Sequence, residues 1–366
     1  MNPIDRLSAQ PVVLSVPATN LPLVRKAVER RTDALARTFD RLQLAPADIA
    51  EQLAVPPSSV ERLFNEPRGA PAVMLDGEDA AGSREDVGEC WAAAMRDLSW
   101  PADCMCLLRV ARDGIAKQLD SLAHALGREG AQPPDGIVLP KMAAAADVDH
   151  AVAALARLES ARGWNEGSIR VQLLVEGPAA LRALPELVAV AKPRLAALML
   201  GTLDYAAAIG LPDVNDAANA TLQFARAALV NEATVAGVAA IDGMTLRFPP
   251  PVGEGAVHSR EREDYLSAVA VAYEDAVAAA RQGMSGKLAG HPAQVFAVLL
   301  AFGEIYSTAA TARWAALVET YQRQADGKGG AMLFDGQMID AASARHARTM
   351  LARAAAAGFL RQEAGQ

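Results

Sequence analysis

Acidic and basic side chains recur at the ends of otherwise apolar runs in this chain of 366 residues. The run at 72–78 closes on Asp76 and Glu78, with Asp79 just beyond. The run at 104–111 carries Arg109, the run at 136–141 ends on Lys141, and the run at 169–176 ends on Glu176. The run at 195–204 ends on Asp204, that at 238–243 carries Asp242, and a weaker one at 286–292 carries His291. One terminal charge is an ordinary helix cap or surface ion pair; repetition matters if the run ends share one place. Glu176 and Asp204, on successive runs, offer hard oxygen ligands of the kind that select Mg²⁺ or Mn²⁺. Arg109 suits a bidentate grip on a carboxylate or stabilisation of an enolate oxygen. The plainer alternative pairs Glu176 with Lys141 or Arg109 as a structural network. Lys141 has a second chemistry, Schiff-base formation, if it is desolvated as the free amine. Beside carboxylates, an ion-pairing or substrate-positioning role fits it better. His291, just before Pro292, reads as a loop or helix-start residue rather than a base.

The elements that must position these groups follow from the same runs. Near-continuous apolar character marks strands buried on both faces, hence a parallel sheet. With a further run at 12–17 the strands number eight. Ala-rich helical stretches at 115–126, 147–162, 179–191, 217–236 and 261–282 lie between them, with few breakers and good propensity. Most intervals are about 30 residues, the size of a βα unit. Eight units predict a (β/α)₈ TIM barrel, whose active site lies at the C-terminal ends of the strands. No GxGxxG follows the first strand, which argues against a dinucleotide-binding fold. The barrel is expected over residues 1–294, with a helical insertion at 21–71. Within the insertion, 23–42 reads as one helix and 45–64 as two short ones. The latter break at Pro56-Pro57, with Ser58 or Ser59 as N-cap. A C-terminal helical extension is expected over 295–366: a helix at 295–323, a Gly-rich hinge at 326–330, a β-like 331–334, a turn at Asp335-Gly336 and a terminal helix at 340–360. Such a hinged helix packs over the barrel or on a neighbouring subunit.

Composition bounds the function. Hydrophobic residues make up 52% and charged residues 21% of the chain, which excludes disordered and fibrous classes. Lys and Arg number 35 against 43 Asp and Glu, a net charge of −8. That balance disfavours a nucleic-acid binder, whose affinity comes from a basic face. It suits small-molecule ligands, and an anionic substrate then needs its own local cation. Cys90, Cys104 and Cys106 are too few and too clustered for a disulfide framework and read as small core residues in a reducing compartment. The N-terminal residues lack a basic patch leading into an apolar run, and the most apolar stretches, 195–200 and 295–302, fall short of the ~20 residues of a membrane helix. A cytoplasmic protein with no membrane and no nucleic-acid partner is expected.

In order, the motifs resemble those of the HpcH/HpaI aldolase and citrate lyase β-subunit family, which includes malyl-CoA and citramalyl-CoA lyases. The resemblance is carried by VPATN (16–20), VMLDGEDA (73–80), LLRV (107–110), GIVLPK (136–141), LLVEGPAAL (173–181), LMLGTLDYAAAIG (198–210), AAIDGM (239–244), GKLAGHPAQV (286–295) and GGAMLFDGQMID (329–340). It implies a TIM barrel assembled as a homo-trimer or hexamer, and a metal-dependent carbon–carbon lyase using Mg²⁺, or Mn²⁺ in its place. Such an enzyme cleaves a β-hydroxyacyl-CoA thioester or a related hydroxy acid to an enolate-derived product and a 2-oxo acid. By the same resemblance Glu176 and Asp204 match the metal ligands, and Arg109 matches the arginine that holds substrate oxygens. Glu78 and Asp79 match acids near the metal's water shell. Arg109, Lys141, Glu176 and Gly201 are the expected substrate contacts. Asp340 matches an aspartate placed over a neighbouring subunit's site, a candidate acid or base; it also opens the terminal helix, where N-cap aspartates are routine.

Three positions depart from the family's pattern. The region of Gln10 stands where an arginine usually precedes the first strand, and Ala111 stands in place of an asparagine. Gly77 replaces a bulky apolar residue and is expected to loosen the backbone at that strand end. These departures point away from the usual CoA thioesters, toward another acyl group, a free hydroxy acid or a non-catalytic relative that binds 2-oxo acids.

Overall fold

Eight parallel strands close into a barrel in sequence order: β1 (Val12–Pro17), β2 (Ala72–Asp76), β3 (Met105–Arg109), β4 (Gly136–Pro140), β5 (Arg170–Val175), β6 (Leu195–Leu200), β7 (Ala239–Asp242) and β8 (Gly286–Ala289). Each is hydrogen-bonded to the next, and β8 closes on β1. This is the (β/α)₈ architecture expected from the apolar runs, with helices around the barrel and further helices at the C-terminus. A computed structural model describes residues 10–30, 33–78, 87–127, 132–214, 219–253, 259–325 and 331–360.

Strand side chains alternate between the barrel axis and the surrounding helices. Val13, Met74, Leu107, Val138, Leu174, Met199, Ile241 and Leu288 fill the barrel interior. Their neighbours, among them Leu14, Val73, Leu75, Leu108, Leu173 and Leu198, face the helix layer. Both faces are therefore buried, which is why the runs read as continuous rather than alternating.

Among the described residues, the interval between β1 and β2 holds four helices, α1 (Leu21–Glu29), α2 (Asp33–Arg41), α3 (Pro46–Leu53) and α4 (Pro57–Asn65). The single helix expected at 23–42 is thus two, because the backbone leaves helical geometry at Arg30 (φ −119°). Neither Ser58 nor Ser59 caps α4; Pro57 takes the first helical turn and Pro56 is the N-cap, since proline's fixed φ is set for that start. Phe39, Leu42, Ile49 and Val60 clasp the insertion onto the later helices through Tyr265 and Phe296. The Phe39 ring stacks on Phe64 at 5.1 Å and meets Phe296 edge-on at 5.3 Å.

The barrel helices continue as α5 (Val87–Asp97), α6 (Ile115–Ala125), α7 (Ala145–Arg162), α8 (Pro178–Ala191), α9 (Thr202–Ile209), α10 (Ala220–Ala236), α11 (Ser259–Arg281) and α12 (Pro292–Ile305). The long helix expected at 295–323 breaks after α12 and restarts as α13 (Thr308–Ala325). Ser307 Oγ accepts the Ala310 N–H at 3.4 Å, a local bond that competes with helix continuation. The stretch 292–323 is apolar enough by composition to cross a membrane, yet 61% of its most apolar window is buried within the fold. The expected hinge at 326–330 lies outside the described residues. Beyond it, β9 (Met332–Phe334) and β10 (Gln337–Ile339) form an antiparallel hairpin through Asp335-Gly336, followed by α14 (Ala341–Ala356). Leu317, Ile339, Ala344 and Ala347 form a satellite core for this extension. Arg353 donates to the Gly283 carbonyl at 3.3 Å in the turn before β8, and Phe359 stacks on Tyr306 at 5.6 Å. The extension is therefore rooted at the end of the barrel where the strands begin.

Candidate active site

The period of two decides which charges reach the mouth. The next inward position after Met74 is Asp76, after Leu107 is Arg109, after Leu174 is Glu176, and after Met199 is Gly201. Each sits where its strand ends, so three charged side chains and one glycine converge at the C-terminal rim. Asp76, Arg109 and Glu176 are all buried, at 5%, 8% and 7% exposure, so their polar atoms must find partners within the rim.

Arg109 is the hub. Its Nη1 lies 3.4 Å from Asp76 Oδ2, its Nη2 lies 3.1 Å from Glu176 Oε1, and Nη2 also pairs with Glu78 Oε2. The other Glu78 oxygen, Oε1, is 3.2 Å from Lys141 Nζ. Glu176 Oε2 accepts the backbone N–H of Lys141 at 2.9 Å. Lys141 adopts φ +56°, a left-handed conformation that costs a non-glycine residue on the order of 1 kcal/mol. That turn is what aims its amide at Glu176.

Glu176 sits in an unfavourable electrostatic environment. Burial pushes its carboxyl up to about 8, the Asp204 and Glu78 charges push the same way, and Arg109 and Lys141 oppose them. Asp204 lies in the first turn of α9, because β6 ends at Leu200 and Gly201 caps the helix. The expected strand to 204 is thus a strand, a glycine and a helix start, where an acid is favoured by the helix dipole. Gly201 is required by space: a Cβ there would overlap Glu176 Cγ. Asp204 is near enough for its charge to add to the rise at Glu176, and both are oxygen donors. Among the described residues no group of three or more His, Cys, Asp or Glu forms a metal cluster, and Asp79 lies outside those residues. A two-carboxylate site that leaves the remaining positions to water and substrate oxygens is the arrangement Mg²⁺ accepts.

The expectation for Gly77 is overturned. Its backbone is pinned, not loose. Its N–H donates to the Arg109 carbonyl at 2.9 Å, and its carbonyl accepts from Gln118 Nε2 at 2.9 Å. A Cβ at this position would collide with the Trp91 ring and come within 2.7 Å of Val87 Cγ1. Glycine is there because Trp91, whose Nε1–H donates to the Leu75 carbonyl at 3.2 Å, fills the space. Gln10 precedes β1 at the opposite end of the barrel, where its Oε1 accepts from Gln172 Nε2 at 3.4 Å. That departure therefore concerns packing at the closed end and not substrate grip. Ala111 does border the mouth, and its N–H donates to Gln118 Oε1 at 2.8 Å.

Two strand-end groups leave the site. Asp242 has outward parity and is fully buried among Arg226, Asp275 and Lys287. Arg226 Nε is 2.8 Å and Lys287 Nζ 2.7 Å from the Asp242 carboxylate, while Asp275 contacts Arg226 at 3.0 Å and Lys287 at 2.8 Å. Two cations and two anions thus neutralise one another between β7, β8, α10 and α11. His291 is the N-cap of α12, its Nδ1 accepting the Ala293 N–H at 3.1 Å; burial lowers its pKa to about 4 and keeps it neutral. Asp340 is exposed and caps α14, accepting the Ser343 N–H at 2.9 Å; no described contact joins it to the rim. Asp76, read as a strand-end charge, joins the rim as a partner of Arg109, and Gln118 is the participant that sequence reasoning missed. Gln118, in the first turn of α6, gave no signal.

Residues 58–248 match the HpcH/HpaI aldolase/citrate lyase family. The L-malyl-CoA/β-methylmalyl-CoA lyase of Rhodobacter capsulatus is 28% identical over 241 residues, covering 62% of this chain and 69% of that protein. Among solved structures, a citrate lyase from Burkholderia xenovorans LB400 superposes with a TM-score of 0.63 at 20% identity, covering 84% of this chain and 89% of that one. The protein CitE of Mycobacterium tuberculosis, solved in complex with magnesium, acetoacetate and coenzyme A, superposes with a TM-score of 0.57 at 22% identity, covering 95% and 99%. These two structures share the barrel fold with the chain. The match spans more than half of the sequence, including the strand ends that build the rim, and the chain belongs to the HpcH/HpaI aldolase/citrate lyase family.

Proposed function

We propose that the protein is a divalent-metal-dependent carbon–carbon lyase that cleaves a β-hydroxyacyl thioester or a related hydroxy acid and releases a 2-oxo acid. Family membership supports lyase or aldolase chemistry on CoA-thioester or 2-oxo-acid substrates. The observation that carries the finer reading is the convergence of Arg109 and Glu176 with Asp76, Glu78 and Lys141 at the open end of the barrel.

Glu176 and Asp204 would hold Mg²⁺ or Mn²⁺. The donor set fits: both are hard oxygen acids, and a buried carboxylate as strained as Glu176 is stabilised by a nearby cation. Bound there, the ion would act as a Lewis acid on the keto and carboxylate oxygens of a 2-oxo acid. Arg109, held from three sides by carboxylates, keeps its guanidinium fixed at the rim. A preorganised cation of this kind stabilises oxygen charge that develops as the bond breaks, without reorganisation. Gly201 makes room for the Glu176 side chain at the rim. A base must take the hydroxyl proton and an acid must later protonate the enolate carbon; Glu78, Asp79 and Asp340 from a neighbouring subunit are the candidates. The last role requires a homo-oligomer; a trimer or hexamer in the cytoplasm is what the family resemblance suggests. The Lys141–Glu78 ion pair weighs against a Schiff base at Lys141, since that pair stabilises the ammonium and imine formation needs the free amine.

The test is turnover of L-malyl-CoA and a panel of free hydroxy acids before and after EDTA treatment. Activity is expected to vanish and to return with Mg²⁺ or Mn²⁺. Undiminished turnover in the metal-free protein rejects the mechanism. Tight 2-oxo-acid binding with no turnover of any substrate assigns the chain to a binding role instead.

A further inference from the structure

We propose that Gln118 is a positioning residue that fixes Glu78 at the rim by clamping the Gly77–Glu78 peptide bond. A peptide unit is planar, so holding its two polar ends sets its orientation. The carbonyl of this unit, on Gly77, accepts from Gln118 Nε2 at 2.9 Å. Its N–H, on Glu78, donates to Asp76 Oδ1 at 2.9 Å. The plane is thereby held from opposite sides, and the direction in which the Glu78 side chain leaves the backbone is fixed. The Gln118 amide is itself anchored, because its Oε1 accepts the Ala111 N–H at 2.8 Å. Gln118 rides on α6, so one side chain ties the turn after β2 to the turn after β3.

Glu78 lies two residues beyond the last strand residue, Asp76. Its carboxylate bridges Arg109 and Lys141 and so sets the separation of the two rim cations. Glutamine is the side chain that serves here. It donates to a carbonyl and accepts from an N–H at once. Glutamate keeps the acceptor for Ala111 but turns an oxygen toward the Gly77 carbonyl, breaking one bond of the pair while preserving size. Methionine of similar length removes both. The inference rests on the rim being the reacting site, and its first readout does not depend on catalysis.

The experiment compares wild type, Gln118→Glu, Gln118→Met and Glu78→Gln by hydrogen exchange resolved to single amides. Catalysis is followed with L-malyl-CoA and Mg²⁺ as probes. In Gln118→Glu the Glu78 amide is expected to exchange at least tenfold faster with the Ala111 amide unchanged; in Gln118→Met both speed up. Turnover in Gln118→Glu is expected to fall about tenfold in kcat with KM within threefold. Combined with Glu78→Gln it should be no slower than Glu78→Gln alone, because a residue acting through another shows no separate loss. Unchanged exchange at Glu78, or losses that multiply in the double variant, overturns the proposal. If Gln118→Glu does not fold, Gln118→Met decides by the same readouts. If the wild type turns over no L-malyl-CoA, the exchange data alone decide the role of Gln118, and it is the lyase reading that falls.

Discussion

If Glu176 holds the proposed metal, the rim's stability and its metal affinity should depend on pH in opposite directions. The Glu176 carboxyl sits at about 8 in the folded chain against an ordinary 4.5, because burial, Asp204 and Glu78 outweigh Arg109 and Lys141. Between those two values the metal-free folded state holds a proton that the unfolded chain releases. Stability associated with this group is therefore intact below pH 4.5 and is lost as pH rises to 8. A gap of 3.5 units corresponds to on the order of 5 kcal/mol. At about 2.1 cal/mol/K of unfolding entropy per residue, that is a fall of roughly 6 °C in Tm. The assay is thermal unfolding in EDTA from pH 5 to 8, wild type against Glu176→Gln, whose neutral amide removes the titration. The difference between the two curves should shrink or reverse toward low pH and grow by several degrees toward pH 8. A metal ligand must be ionised, so Mn²⁺ affinity should move the other way. About half of Glu176 is ionised at pH 8 and about one part in a hundred at pH 6, so Mn²⁺ should bind roughly 50-fold more weakly at pH 6 and release close to one proton per ion there. Parallel melting curves for wild type and variant, together with Mn²⁺ binding that is flat between pH 6 and 8, would falsify the account of Glu176 as a buried, cation-seeking carboxylate.

Three further outcomes follow from the geometry. Gly201→Ala places a Cβ against Glu176 Cγ; overpacking of this kind costs about 1–3 kcal/mol, and Mn²⁺ titration should show at least a tenfold weaker site in a folded protein. Lys287→Met leaves Asp242 and Asp275 with Arg226 as their shared cation; breaking a buried ion network costs about 3–5 kcal/mol, measured by urea unfolding, and an unchanged midpoint would refute the buried quartet. Asp340→Asn keeps an N-cap that serves nearly as well, so α14 and the melting temperature should be unaffected. A fall in kcat in that variant then reports catalysis in a neighbouring subunit, and unaltered kcat removes Asp340 from the reaction.

The barrel was legible because burial on both faces of a parallel strand writes itself as an uninterrupted apolar run, and β1 matches its expected span residue for residue. Strand ends were harder. The reading carried β6 on to Asp204, since an apolar Leu-Met-Leu followed by Gly-Thr-Leu gives no sign that Gly201 turns the chain into α9. The rim charges on Arg109 and Glu176 were legible from their place at run ends. Asp242, equally terminal, was not separable from them until its parity placed it in the helix layer beside Arg226. What the sequence could not carry was contact between distant residues. Nothing in LDGED announces that a tryptophan ring fills the space above Gly77, and nothing near Ala111 announces that a glutamine holds its amide. The helix break at Arg30 was likewise hard to see, whereas Ser307, a residue type that competes with helix continuation, marked the other in principle.

Because Asp76, Arg109 and Glu176 face the axis only through the even spacing that links them to Met74, Leu107 and Leu174, the charged rim is a matter of counting. Deleting one residue from the middle of β3 or β5 would rotate the terminal charge into the oily layer outside, with no intermediate arrangement between correct and inverted. Descendants of this scaffold can therefore lengthen, shorten or decorate the connections freely, as the four-helix detour after β1 attests. The staves themselves must keep their length, and new specificities have to be won from the loops.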